Sequence, residues 1–192
     1  IEVGGTVGDI ENAFYIEALR ELGYEEGENS VMFVALTYVL SPPALGEQKS
    51  KAAQLGVKRL MEFGIHPHVI ACRAESPVTE KVRQKIAIYT NVPMRRVFSM
   101  HDLDSIYLLP GLMREEGLDS EVVQLLNLGG KVNSAQDARN SIEWMSFASK
   151  IGIGLQGFRP VARLKDLHRL VVAVIRDKGV DFRGKEVLAQ PF

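Results

Sequence analysis

Hydrophobic positions along the chain follow two alternating spacings. Ile1–Val3 is a short apolar run that reads as a strand. Asp9–Leu22 places Ile10, Ala13, Phe14, Ala18, Leu19 and Leu22 on one side of a helix, with Gly23 as its expected stop. Val31–Leu40 is rich in branched and aromatic residues and reads as a buried strand, broken by Ser41-Pro42-Pro43. A helix is predicted over Lys51–Phe63, ended by Gly64, and a strand over His68–Cys72. Ser76-Pro77 reads as an N-cap followed by proline at the first helical position, opening a helix through Ile86 and Ile88. Val97–Met100 reads as a fourth strand, and Leu103–Glu116 as a helix around Pro110 closed by Gly117. Strands alternating with helices of this length predict an α/β fold with a mostly parallel sheet and helices on both faces.

The pattern changes after about Leu128. Gly129–Ser149 is polar and reads as a linker with a short helix around Trp144. Ile151–Gly154 reads as a new strand and Leu164–Asp177, with its apolar run Leu170–Ile175, as a helix. Together they read as the beginning of a second α/β unit.

Composition narrows the function classes. The 192 residues carry 23 Lys and Arg against 24 Asp and Glu, a net charge of −1. A binder that gains affinity by neutralising many phosphates is thereby excluded, so no DNA or RNA partner is expected. With 46% hydrophobic and 24% charged residues the composition is that of an ordinary globular protein. The longest apolar run, Val31–Leu40, falls short of the roughly 20 residues a bilayer requires, so no membrane association is expected. A single cysteine, Cys72, fits a reducing compartment and predicts a cytoplasmic location. The chain opens on Ile1, in mid-strand and without Met, which reads as an interior position of a longer protein.

Chemistry concentrates where strands end, the usual ligand position in open α/β sheets. Glu2-Val3-Gly4-Gly5-Thr6-Val7-Gly8-Asp9-Ile10-Glu11 joins a strand to a helix. Its glycines allow close approach of a phosphate, and the helix N-terminus favours an anion. Glu2 could ligate Mg²⁺, which combines one or two carboxylates with substrate phosphates. Asp9 and Glu11 could accept hydrogen bonds from hydroxyls or an exocyclic amine. Equally, the segment reads as a glycine turn with helix-start acids. It is neither a Walker A loop nor a GxGxxG fingerprint.

Gly46–Gln54 brings Lys49 and Lys51 to a helix start, a poor position for cations unless an anion compensates. Gln54 offers a donor and an acceptor to a base or ribose, although a solvated basic stretch explains the pattern as well. Arg73 and the pair Asp102 and Asp104 follow two further strands, and Asp102 also suits a helix N-cap. Lys85 lies mid-helix, where an exposed lysine is ordinary. His66 and His68 form an HxH pair without a third ligand, and His101 stands beside two acids. Cys72, inside an apolar run, reads as a packing residue.

The segments Glu2–Glu11 (EVGGTVGDIE), Gly46–Gln54 (GEQKSKAAQ), Gly64–Arg73 (GIHPHVIACR), Lys85–Pro93 (KIAIYTNVP) and Asp102–Tyr107 (DLDSIY), in this order, closely resemble the synthetase (amidoligase) domain of CTP synthase. The resemblance implies a P-loop NTPase fold of the dethiobiotin-synthetase type. Its P-loop lies upstream of the EVGG strand, so the chain reads as the C-terminal part of that domain. Residues 1–128 would be this partial domain, 129–150 a linker, and 151–192 a truncated start of a glutaminase domain, to which Ile151–Gly179 bears a weak likeness.

The reaction implied is ATP-dependent amination of UTP to CTP. ATP phosphorylates the uracil 4-oxygen and glutamine-derived ammonia displaces the phosphate, with Mg²⁺ as cofactor. By motif match, Glu2 is the Mg²⁺ ligand, and Gly4, Gly5 and Lys49 are catalytic. Asp9, Ile10, Glu11, Lys49, Lys51, Gln54 and Lys85 bind UTP or the feedback inhibitor CTP. Arg73, Asp102 and Leu103 surround ATP. The family assembles as a homotetramer, with the pyrimidine nucleotide at a subunit interface. This chain differs at Ala52 and Ala53, where the family usually has Pro and Thr, and at His101, where a lysine often precedes the aspartate. By itself the chain is expected to be inactive. The alternative expectation is a module of the same family that binds CTP or forms oligomers without turnover.

Overall fold

A computed structural model describes residues 1–130, 139–140, 142–147 and, for the backbone, 171–175. Five strands form one sheet: β1 (Glu2–Val3), β2 (Val31–Tyr38), β3 (Val69–Ala74), β4 (Val97–His101) and β5 (Val171–Ile175). Their order across the sheet is β1-β5-β2-β3-β4. β2, β3 and β4 are parallel, with Thr37 opposite Cys72 and Cys72 opposite Ser99. β5 is antiparallel to both β1 and β2, so β1 points the same way as β2. The carboxyl ends of β1 to β4 therefore share one edge of the sheet.

Among the described residues, helices α1 (Ile10–Glu26), α2 (Lys51–Glu62), α3 (Glu80–Thr90), α4 (Leu109–Glu115) and α5 (Leu118–Leu125) cover it. Strand alternation divides the core into two layers. Phe33, Ala35, Ile70, Cys72 and Val97 face α1, α2 and α3, meeting Ile16, Leu19, Val57, Leu60, Val82 and Ile86. Met32, Val69, Ala71, Phe98 and Met100 face the other way, against Leu109, Met113, Leu118, Val122 and Leu125. The expected α/β sheet with helices on both faces is what forms.

Several boundaries differ from expectation. α1 passes through Gly23 and stops at Gly27, whose φ is 74°. Gly23 serves a different purpose: a Cβ there would lie 2.8 Å from the tip of the Phe33 ring, so its absence lets α1 approach β2. Ser76-Pro77 does not open α3; Thr79 is the N-cap. Val78 N–H instead donates to Ser99 Oγ at 2.8 Å, which ties the segment before α3 to the middle of β4. The helix expected over Leu103–Glu116 is a 3-10 turn at Ile106–Leu108 followed by α4. The largest correction is Val171–Ile175. This run is a strand in the middle of the sheet, where a helix was expected over Leu164–Asp177. Branched residues at four of its five positions favour the pleated backbone once two partner strands are available. The strand expected over Ile151–Gly154 lies outside the described residues. No helix among the described residues is long and apolar enough to cross a membrane.

Candidate functional site

The common edge at the carboxyl ends of β1 to β4 carries the nucleotide- and metal-binding candidates of the sequence in three groups. The first is the turn between β1 and α1. Glu2 and Gly4 are exposed. Gly5 adopts φ 91°, and a Cβ there would collide with the Asn12 amide. Asp9 sits at the N-cap position of α1, yet its side chain makes no bond to the helix. Its Oδ2 accepts from Thr6 N–H at 3.1 Å, and Thr6 carbonyl accepts from Asp9 N–H at 3.1 Å, so Asp9 closes the glycine turn. Glu11 is exposed on the first turn of α1, and Ile10 is almost fully exposed. Against Gly8 lies Arg59 of α2, with Nε 3.0 Å from where a Cβ would stand. Nothing in the sequence pattern distinguishes this arginine, the ninth residue of α2, from a solvated side chain.

The second group is the lysine loop. Lys49 N–H donates to Leu40 carbonyl at 2.7 Å, which closes the excursion 41–48 and sets Lys49 beside the end of β2. Lys49 Nζ pairs with Glu47. The Glu47 carboxyl is held below its ordinary range by that hydrogen bond and charge, with added attraction from Lys85 and Lys81. Lys81 and Lys85 of α3 therefore act on the same carboxylate as Lys49 of the loop. Lys51, the first residue of α2, lies 5.1 Å from the centre of the Tyr89 ring, and Lys58 lies 5.4 Å from it. Gln54 is buried and donates to Ser50 Oγ at 3.0 Å, so this amide braces the start of α2 from within.

The third group is at the ends of β2, β3 and β4. Arg73 Nη2 pairs with Asp102 Oδ1 at 3.0 Å. Asp102 therefore faces a cation, and Ser105 is the residue that caps the following turn, accepting from Tyr107 N–H at 3.3 Å. Tyr38 adjoins the pair. Its hydroxyl is pushed above its ordinary range by burial, then by Glu75 and Asp102, against an opposing pull from Arg73. Leu103 is half-buried beside it. The Arg73–Asp102 pair shares no hydrogen bond or ion pair with the lysine loop among the described residues.

The weaker candidates resolve structurally. Cys72 is fully buried and its thiol is pushed up to about 12 by desolvation, which suits packing and not nucleophilic attack. His68 Nδ1 accepts from Phe33 N–H at 3.0 Å, so that nitrogen carries no proton and is spent on the sheet. Among the described residues no group of three or more His, Cys, Asp or Glu is placed to hold a metal ion. Glu2 is exposed and stands two residues before Gly4, where a Cβ would meet nothing within 4 Å.

The comparison with protein families bears on the same residues. A family model described as CTP synthase N-terminus matches residues 1–128, two thirds of the chain.

The chain belongs to the CTP synthase family. The match places residues 1–128 in the family's N-terminal domain, which corrects the expectation of a C-terminal part. It covers all three groups at the sheet edge. Membership supports CTP synthesis as the family-level function, with nucleotide substrates and oligomerisation in general terms.

Proposed function

We propose that this domain binds UTP and ATP at its carboxyl edge for the ATP-dependent amination of UTP to CTP, and that it also takes CTP as a feedback ligand. The observation that carries this reading is that the lysine loop is fastened to α3: Gln48 bonds to Pro77 carbonyl and Thr79 N–H, and Lys51 lies 5.1 Å from the centre of the Tyr89 ring. Lysines from two elements held on the same side of the sheet edge suit a triphosphate, to which each brings a compact positive charge.

The roles divide by group. Lys49, Lys51 and Lys85 bind the triphosphate of UTP or CTP, and Gln54 holds the start of α2 in place. Asp9, Ile10 and Glu11 meet the pyrimidine nucleoside, with the Glu11 carboxylate accepting from a hydroxyl or amine. Gly4 and Gly5 bring backbone close to the transferring phosphoryl group, with Lys49 and Arg59 as nearby positive charge. Arg73, Asp102 and Leu103 receive ATP. Glu2 would hold Mg²⁺, which neutralises phosphate charge during phosphoryl transfer. Ammonia derived from glutamine supplies the amino group, and a homotetramer would complete the pyrimidine site.

The test is calorimetric titration of the chain with CTP, UTP and CMP in Mg²⁺. CTP and UTP are expected to bind more tightly than CMP. Glu11→Ala should weaken CTP about tenfold, from the loss of one hydrogen bond to a charged group. Failure of both triphosphates to bind overturns the reading. Assay of the same preparation for CTP formation from UTP, ATP and ammonia separates synthesis from binding alone.

A further inference from the structure

The lysines of the triphosphate site belong to two separate elements. Lys49 and Lys51 come from the loop and start of α2, whereas Lys81 and Lys85 lie on α3. Like charges on the two sides repel, so the spacing needs a positive restraint.

One side chain spans the division. Gln48 Nε2 donates to Pro77 carbonyl at 2.9 Å, with Ser76 Oγ at 3.4 Å and Ser76 carbonyl at 3.5 Å around it. Gln48 Oε1 accepts from Thr79 N–H, the N-cap of α3, at 2.8 Å. Both ends of the amide are matched. Turned over, its oxygen would face Pro77 carbonyl and its NH₂ would face Thr79 N–H. The residue is flanked in sequence by Glu47 and Lys49, the ion pair at the centre of the cluster.

We infer that Gln48 is the positioning residue of the triphosphate site: its side-chain amide clamps the lysine loop to the start of α3 and sets the distance between Lys49 and Lys85. This rests on the reading of those lysines given above. A neutral amide is suited to the task because it adds no negative charge that would compete with phosphate for the lysines. A glutamate of the same length would lose the donor to Pro77 and Ser76 and bring such a charge. α2 and α3 also pack directly through their apolar residues, so the fold does not depend on the clamp.

The experiment compares Gln48→Met, of equal length and without hydrogen bonding, and Gln48→Glu with the unaltered chain. Each is titrated calorimetrically with CTP and with CMP, and each is melted. Gln48→Met should weaken CTP about tenfold, from two lost hydrogen bonds to the backbone. CMP should change less than twofold, so that the CTP-to-CMP preference falls. Gln48→Glu should weaken CTP further. Melting temperatures should stay within a few degrees of the unaltered chain. An unchanged CTP-to-CMP preference in both variants overturns the clamp while the lysine reading stands. Equal loss of both ligands with a sharply lowered melting temperature also overturns it, by showing a purely structural role. If the unaltered chain shows no preference for CTP over CMP, the lysine reading fails and the clamp falls with it.

Discussion

The Arg73–Asp102 pair and the lysine cluster lie on the same sheet edge but are held there by different means. Arg73 lies in β3 and Asp102 directly follows the adjacent parallel strand β4, where its N–H donates to Ala74 carbonyl at 2.9 Å. Their separation is a consequence of strand register, supported from below by buried residues such as Phe98 and Cys72. The lysines stand on a loop and two helices, with 41% of the Lys49 side chain exposed. Their spacing depends on a side-chain amide and a backbone bridge. A site built on register resists local substitution and fails only with the sheet. A site built on a clamp can be loosened without touching the core.

Three further outcomes would break or sharpen that contrast. The largest is expected from Phe98→Ala, which removes a side chain only 1% exposed from the strand leading to Asp102. The loss should be about 3–5 kcal/mol of stability, read as a lowered urea midpoint. A change below about 1 kcal/mol would show that strand packing does not support the edge.

A smaller effect on stability is expected from Asp102→Asn. Both side chains of the pair are about two-fifths exposed, so the change should stay within about 1 kcal/mol. ATP affinity should nevertheless fall several-fold as Arg73 loses its partner, with CTP affinity unaltered. Equal loss of the two ligands would refute the independence of the two groups.

The smallest concerns His68, at the opposite edge of the sheet. Burial holds its pKa below the ordinary value, with Arg96 and then His66 acting in the same direction. The unfolded chain therefore takes up a proton first, near pH 6.5. Stability is fully present above that value and falls as pH drops through it toward the lowered folded-state value. His68→Asn keeps an acceptor for Phe33 N–H but does not titrate. Comparison of urea midpoints at pH 7.5 and 5.5 should show less acid destabilisation in the variant. CTP binding should be the same in both proteins at pH 7.5, because His68 is remote from the lysines. Identical pH dependence of the two midpoints would show that His68 is not a source of acid sensitivity.

Much of this architecture is legible in the amino-acid order. The runs Val31–Tyr38, Val69–Ala74 and Val97–His101 announce themselves as strands because their side chains are mostly apolar on both faces, with Ser99 the exception near a strand centre, as buried parallel strands require. Residues at strand ends were recognisable as candidates because ligands favour that edge, and the motifs carried the rest. Gln48 and Arg59 were not legible: each is an ordinary polar residue whose significance lies in what faces it from another element.

The sequence by itself determined the three parallel strands and most of the helices within residues 1–128, the lysine-rich and glycine-rich motifs, and the family. Those properties are local, or depend on residue order. Tertiary structure decided that Val171–Ile175 pairs as a strand, that Gly23 is a point of helix–sheet contact, and that Gln48 ties the lysine loop to the start of α3. Each depends on residues distant along the chain meeting at close range, and local spacing does not specify those meetings.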